Sequence, residues 1–586
     1  MAGKLQAIKA DLKAKRRLSG WVLPKPESAF TPSTHWSNYD MEPVPPEHAT
    51  WTKTTIAAYW FSDLISAGTW SQISSFVALG LTWWQGLLAT FLGAFLIAIV
   101  ISLNGLIGAR LHTPFAVTSR AAFGIMLSRF AVVSRLVIAW FWFSVNSYQG
   151  GTAVRLCLIA IWPSFKTFPN HLPESAGVTS SGMLCFFLFW LFQFPMLLIH
   201  PRHLRPIFLL KACTLPIVAV GMMAWTIHTA GDRASEVMRA PSKISGLNGF
   251  YLFMSSVTSA QGTWSTMAIN IGDFTRYSKR ESSAWLQVAV VPALWTTAAL
   301  FGAVSANMTS VIPRYAGQAI FQPFDIIEGG GWLDSHGGRA AAFFCSAAWG
   351  LGNACTNITS NSISSANDLA SLFPKWISIF RGQIICAVIG AWAFAPWKVL
   401  SSASSFVSFM ASYSIVLSPI AAILCADFFL VKKSKYDVVQ LYDPNGIYHY
   451  EKGFNLRALA ALVIAIPPNV PGMAHALNEN VDIGGAKYIF CVADIFGMTV
   501  AASVHVGLSK LFPDRDSIVA EAVLAQDVLE GRAPGYEHLA RKDLCPTLGA
   551  TPATDPAPQL ARSTGSSEEA VDELKDEKLL DIEPVA

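Results

Sequence analysis

The sequence predicts an all-α integral membrane protein with about twelve transmembrane helices. Three observations carry that expectation. Hydrophobic residues make up 52% of the 586 positions and charged residues only 14%, against about 25% charged in an ordinary soluble domain. A soluble chain of this length could not cover its surface with so few charges. The 20 tryptophans and 37 phenylalanines suit lipid-facing and interfacial positions. Finally, the apolar residues fall in runs of the roughly 20 residues that a spanning helix needs.

In chain order, the candidate spans are residues 54–79, 83–108, 132–162, 181–200, 205–228, 248–273, 284–311, 339–366, 377–396, 402–431, 456–475 and 487–511. The stretch between the second and third is expected to re-enter the bilayer or lie on its surface. Ser, Thr and Asn dilute the eighth and ninth. Lys and Arg counts in short loops set orientation. With the N-tail (Lys4, Lys9, Lys13, Lys15, Arg16, Arg17) in the cytosol, the cytosolic loops carry Arg110, Arg120, Arg129 and Arg135, then Arg202 and Arg205. Further along they carry Arg276, Lys279 and Arg280, then Lys375 and Arg381, then Lys432, Lys433 and Lys435. The opposite loops are mixed, as in Asp232, Arg233 and Glu236. An even number of spans with both termini cytosolic follows.

The chain thus divides into a cytosolic N-tail (1–50), a transmembrane region (51–511) and a cytosolic C-tail (512–586). From about 512 the composition turns polar, with an acidic run from Glu568 to Glu583, too poor in apolar residues to fold alone, so the C-tail is expected to be largely disordered. It reads as a solvated extension, or as a regulatory platform with Lys575 and Lys578 as modification or adaptor sites for ubiquitin-ligase or arrestin-type partners. The polar, basic first 50 residues are not expected to act as a signal peptide. A net charge of +4, dispersed among loops, excludes nucleic acid as a partner. Nine cysteines without C-x-x-C spacing read as reduced thiols, not as a metal or disulfide framework. No phosphate-binding G-x-x-x-x-G-K-[ST] loop occurs, so work would be driven by an ion gradient and not by ATP. No catalytic nucleophile or acid/base pair emerges, and no cofactor or metal is called for.

Four spans carry polar chemistry. The first has small residues around Gly68, and the sixth starts its second half at Gly262-Thr-Trp264. Breaks near both glycines would stand five spans apart, the pattern of an inverted-repeat transporter with a midplane site. Irregular backbone at that depth survives only where it lines a cavity. The third span has Trp142 and Asn146 at i, i+4 on one face. An aromatic plane and an amide suit a flat hydrogen-bonding heterocycle, and they equally serve helix packing. The eighth span has Gly352-Asn-Ala-Cys355-Thr356-Asn357-Ile-Thr-Ser-Asn361, too polar for lipid and readable as a substrate path or as interhelical glue. Asp63 and Lys211 are ionisable within spans. Lys211 either snorkels to the cytosolic interface or takes a proton-linked or gating role. Asp273 and Arg276 close the sixth span as an ion pair, a cap or a gate; Asp427 and Asp494 are left without an assigned partner.

The runs NIGDFTRY (270–277), WWQG (83–86), HTPFAVTSRAAFG (112–124), WFSVNSYQGG (142–151) and TNITSNSISSAN (356–367) resemble the nucleobase cation symporter family 1. Within it, the chain resembles the fungal Fur-type permeases for uracil, allantoin and related compounds, from about Trp51 to Leu511. The resemblance implies a LeuT-like fold of two inverted five-helix repeats plus two further helices. Substrate would lie near the midplane among the first, third, sixth and eighth spans. It would be stacked between Trp142 and Trp264 and read by Asn146, where the family commonly has Gln, and by Asn361. Gly352, Cys355 and Thr356 resemble the cation positions of sodium-coupled relatives. A thiol at 355 weakens a site for a hard cation, in line with proton use by fungal members. Phe409 and Met410 resemble a thin outer gate. The expected function is import of a nucleobase or related heterocycle across the plasma membrane by proton symport. The alternatives are a thiamine or nucleoside permease of the same family, or a ligand-sensing transceptor.

Overall fold

A computed structural model describes residues 21–23, 30, 36–199, 204–478 and 480–540. Every expected span is helical, and among the described residues only isolated bridges interrupt an all-helical architecture. Seven helices are long and apolar enough to cross a bilayer unaided: Trp83–Leu111, Leu127–Ile161, Glu174–Leu197, Arg205–Ala230, Glu281–Thr309, Ala403–Val431 and Leu456–Leu477. The pair Gly484–Phe490 and Ala493–Leu511, bent by 80°, is an eighth if counted as one span. The remaining expected spans, the first, sixth, eighth and ninth, are interrupted or diluted with polar residues. Their irregularity is where the site forms.

The first span runs as Lys53–Leu64 and Ala67–Ala78, parted at Ile65 and Ser66, both in extended conformation. Ser66 caps the second half, accepting from Thr69 N at 3.3 Å, which satisfies one of the amides a new helix start leaves open. The sixth span runs as Gly246–Thr263, then Ser265–Asn270, parted at Trp264. Both breaks lie within two residues of the expected glycines. The eighth span does not break but widens. Helix His336–Thr356 passes into a π-helical stretch, Asn357–Ile363, and resumes as Ser364–Leu372. Such wide turns re-aim side chains and are frequent at functional sites.

Small residues let these spans approach closely. A Cβ at Gly262 would stand 2.3 Å from Met410 O, and one at Gly108 would stand 2.5 Å from Gly272 Cα. The sixth span is therefore held backbone to backbone against the tenth and second.

Three expectations need correction. The stretch between the second and third spans does not lie on the protein surface. It holds a short helix, Phe115–Phe123, in which every residue is buried; Phe115 N donates to Asp273 Oδ1 at 2.9 Å. Arg135, counted among the loop charges, is 1% exposed inside the third span and paired with the buried Asp368 of the eighth. Its charge is met inside the protein, so it carries no information about orientation. The third correction concerns the tail. Residues 512–540 are packed, because Ala525, Val528, Leu529 and Ala533 supply an apolar face in an otherwise polar stretch. They share a cluster with Phe30 and Met41 from the N-terminal side and with Tyr436, Tyr442 and Tyr448 from the loop after the tenth span. Lys432 Nζ, itself buried, donates to Ser517 O and to Tyr450 OH, each at 3.0 Å. Lys575, Lys578 and the acidic run lie outside the described residues.

The ionisable residues left unassigned also find partners. Asp427 accepts from Tyr436 OH (2.6 Å) and faces His505 Nε2 at 3.1 Å, and Ser418 Oγ donates to Asp494. Asp273 and Arg276 do not pair with each other. Arg276 donates to Asp40 O (3.1 Å) and Tyr277 OH (3.0 Å), anchoring the segment ahead of the first span.

Candidate functional site

The two breaks and the π turn face a partly open cavity of about 50 Å³. Asp63, Gly68, Trp142, Asn146, Trp264, Thr356 and Asn361 line it, together with Ser66, Thr69, Thr263, Thr266, Met267 and Ser360. All five residues expected to bind substrate are therefore brought together from four spans. A bound water takes roughly 10–15 Å³ of such volume, so there is room for about three to five water-sized groups.

Each lining amide has one end fixed and one end free. Asn146 Nδ2 donates to Trp142 O at 3.1 Å, and Asn361 Nδ2 donates to Asn357 Oδ1 at 2.9 Å. Asn357 is in turn anchored on Phe143 O (3.2 Å) and Ser147 Oγ (3.1 Å). Among the described residues nothing donates to Asn146 Oδ1 or Asn361 Oδ1, so two oriented acceptors are left toward the cavity. The indoles are positioned too. Trp142 Nε1 donates to Tyr413 OH at 3.3 Å, while Trp264 is wedged edge-on between Trp60 and Trp295 with ring centroids 5.3 and 5.9 Å away. Trp264 Nε1 has no partner. Two aromatic faces and two free acceptors can hold a flat heterocycle that carries N–H donors on its edge.

Beside the ring site is a charged network. Asp63, fully buried, accepts from Thr359 Oγ1 at 2.9 Å and from Ser360 Oγ. Lys211, 1% exposed, donates from Nζ to Thr356 Oγ1 at 3.0 Å. Lys211 therefore does not snorkel; its ammonium is held at the eighth span. Buried charges persist only with such partners.

The other candidates stand outside the lining. Gly352 turns toward the fifth span, where a Cβ would meet Leu215 Cδ1 at 2.6 Å. Cys355 is buried, and its carbonyl accepts from Thr359 Oγ1 at 3.2 Å. Phe409 packs on Phe141 with ring centroids 4.0 Å apart. Met410 backs the cavity, its sulfur accepting from Thr263 Oγ1 (3.5 Å) and Tyr413 OH (3.7 Å). Sequence reasoning missed Thr359, Ser360 and Tyr413. The first two were visible only as polar dilution of the eighth span, and Tyr413 carried no signal at all.

Broken helices around a polar cavity, among seven helices long and apolar enough to cross a bilayer, are the architecture of a membrane transporter. Residues 43–497 match the family of permeases for cytosine/purines, uracil, thiamine and allantoin, and the chain belongs to that family. It is 34% identical over 520 residues to an uncharacterised permease of Schizosaccharomyces pombe, covering 88% of this chain and 91% of that one. It is 30% identical over 489 residues to the uracil permease of Saccharomyces cerevisiae, covering 81% and 76%. The uridine permease of the same yeast is 31% identical over 490 residues, covering 82% and 76%. Among solved structures, the fold matches Mhp1, a nucleobase-cation-symport-1 family transporter in a closed conformation with bromovinylhydantoin bound. The TM-score is 0.62 at 20% identity, over 83% of this chain and 97% of that one. The resemblance read from the sequence and its LeuT-like architecture are thus borne out, and the chain is a multi-pass permease, not an enzyme.

Proposed function

We propose that this permease imports a single-ring nucleobase or related heterocycle, of the uracil or allantoin class, by proton symport with alternating access. The observation that carries this reading is the pairing of Trp142 and Trp264 with the free oxygens of Asn146 and Asn361 around a cavity of about 50 Å³. Stacking on aromatics is worth ~1–3 kcal/mol per base, and the two acceptors suit the N–H edges of uracil or allantoin.

Proton coupling is supported by Lys211. Its ammonium donates to Thr356, at the position where sodium-coupled relatives are expected to hold their cation, and Cys355 puts a thiol where a hard cation would favour an oxygen. Asp63, wrapped by two hydroxyls, is the second exchangeable group. The permease would sit in the plasma membrane with both termini cytosolic, where the tails could receive ubiquitin-ligase or arrestin-type adaptors. Radiolabelled uptake with a panel of unlabelled competitors, at several pH values with and without sodium, tests ligand and coupling together. Uracil-like competition that strengthens as external pH falls and ignores sodium is expected; sodium-dependent uptake overturns the coupling, and competition only by thiamine or nucleosides overturns the ligand class.

A further inference from the structure

Two buried amides, each three residues along its helix from a residue that lines this cavity, have no hydrogen-bond partner. Gln149 of the third span is 1% exposed and Asn353 of the eighth fully buried. Both polar atoms of each side chain, Nε2 and Oε1, Nδ2 and Oδ1, are unmet. Contacts on either side bracket them. Gly350 faces Ala153, whose Cβ would lie 3.2 Å from a Cβ at 350, and Asn357 Nδ2 reaches Ser147 Oγ at 3.1 Å. Asn353 lies between 350 and 357, and Gln149 between 147 and 153, so the two amides stand at one level of the interface between the spans. Gln149 is three residues beyond Asn146, on the neighbouring turn of the same helical face.

Four unmet polar atoms in a dry interior are costly, and buried amides are normally satisfied by protein or by ordered water. A water needs two to four polar partners, which this group supplies for one or two molecules. We propose that Gln149 and Asn353 enclose a hydration site whose ordered water extends the ring-reading edge beyond Asn146. This inference rests on the reading of Asn146 as a substrate contact. Water there donates toward the free Asn146 oxygen or to a polar group of the ring, so Gln149 and Asn353 are positioning residues that set substrate affinity without touching the ring.

The test is the paired variant Gln149→Leu/Asn353→Leu, which removes the polar atoms at similar volume, measured in uptake with surface abundance and thermal stability recorded. The expected result is a KM for the preferred nucleobase raised at least fivefold, Vmax within twofold, and a melting temperature at or above that of the parent. Gln149→Ser/Asn353→Ser, which keeps hydroxyls and leaves room for water, should return KM to within twofold. A parent-like KM in the leucine variant, with or without added stability, overturns the proposal. So does equal impairment of the leucine and serine variants, which would indicate packing alone. If the leucine pair does not reach the membrane, Gln149→Met alone is measured the same way, with a raised KM expected and an unchanged one overturning the claim. Asn361→Ala, run in parallel, separates the two readings: no effect there removes the ring site itself, whereas an effect there with a parent-like leucine pair removes only the water.

Discussion

Replacing Asn361 with alanine removes one acceptor from the cavity and leaves the indoles untouched. Its Nδ2 is spent on Asn357 Oδ1 at 2.9 Å, which fixes the rotamer and leaves Oδ1 as the free end of a residue that lines the cavity. A ring N–H that donates to this oxygen would, in the variant, be buried without a partner. Such a loss costs about 1–3 kcal/mol. Taking about 2 kcal/mol, at 1.4 kcal/mol per tenfold, the apparent affinity falls about 30-fold. A second, smaller cost falls on the protein: Asn357 Oδ1 loses its donor, while Asn357 stays anchored on Phe143 and Ser147. Surface abundance should therefore stay near parental. The assay is competition of radiolabelled uptake by unlabelled nucleobase, normalised to a fluorescent tag at the plasma membrane. An inhibition constant within twofold of the parent at equal abundance would refute the role of this amide, and with it the orientation argued from the π turn.

Lys211→Met should abolish the pH dependence of uptake, since no ammonium would then remain on Thr356; sodium should not restore it, and a parental pH profile would exclude Lys211 from coupling. Arg135→Leu should lower the detergent melting temperature sharply, because opening a buried ion pair strands Asp368 at about 3–5 kcal/mol, whereas Arg135→Leu/Asp368→Leu should recover most of that loss. Removing residues 541–586 should leave abundance and uptake near parental. Removing 512–586 should reduce abundance severalfold, since it uncovers the cluster of Tyr436, Tyr442 and Tyr448 and takes the Ser517 acceptor from Lys432; equal behaviour of the two truncations would contradict the packing of 512–540.

What was legible in the sequence follows from the range of the interactions. Trp142 and Asn146 share a face because helical spacing is local, and the breaks beside Gly68 and Gly262 are marked by residues within two positions of Ser66 and Trp264. The polar run of the eighth span announced a site. Its widening into a π turn did not show, and neither did the reach of Thr359 and Ser360 to Asp63, 296 and 297 positions away in the chain. Arg135 was misread for the same reason: its partner Asp368 lies 233 residues on, so the charge looked like a loop signal. Residues 512–540 were read as too polar to fold alone, and alone they are; their apolar residues pack only on surfaces lent by the N-terminal segment and the loop after the tenth span.

The central claim is that a heterocycle stacks between Trp142 and Trp264 with its edge read by Asn146 and Asn361. A structure determined with the preferred nucleobase bound tests it most directly. The ring should lie between the two indoles with its polar edge atoms within about 3.2 Å of the free Oδ1 of Asn146 and of Asn361. Density for the ring away from these four residues, for instance in the larger cleft lined by Gln440, His449 and Arg457, would contradict it.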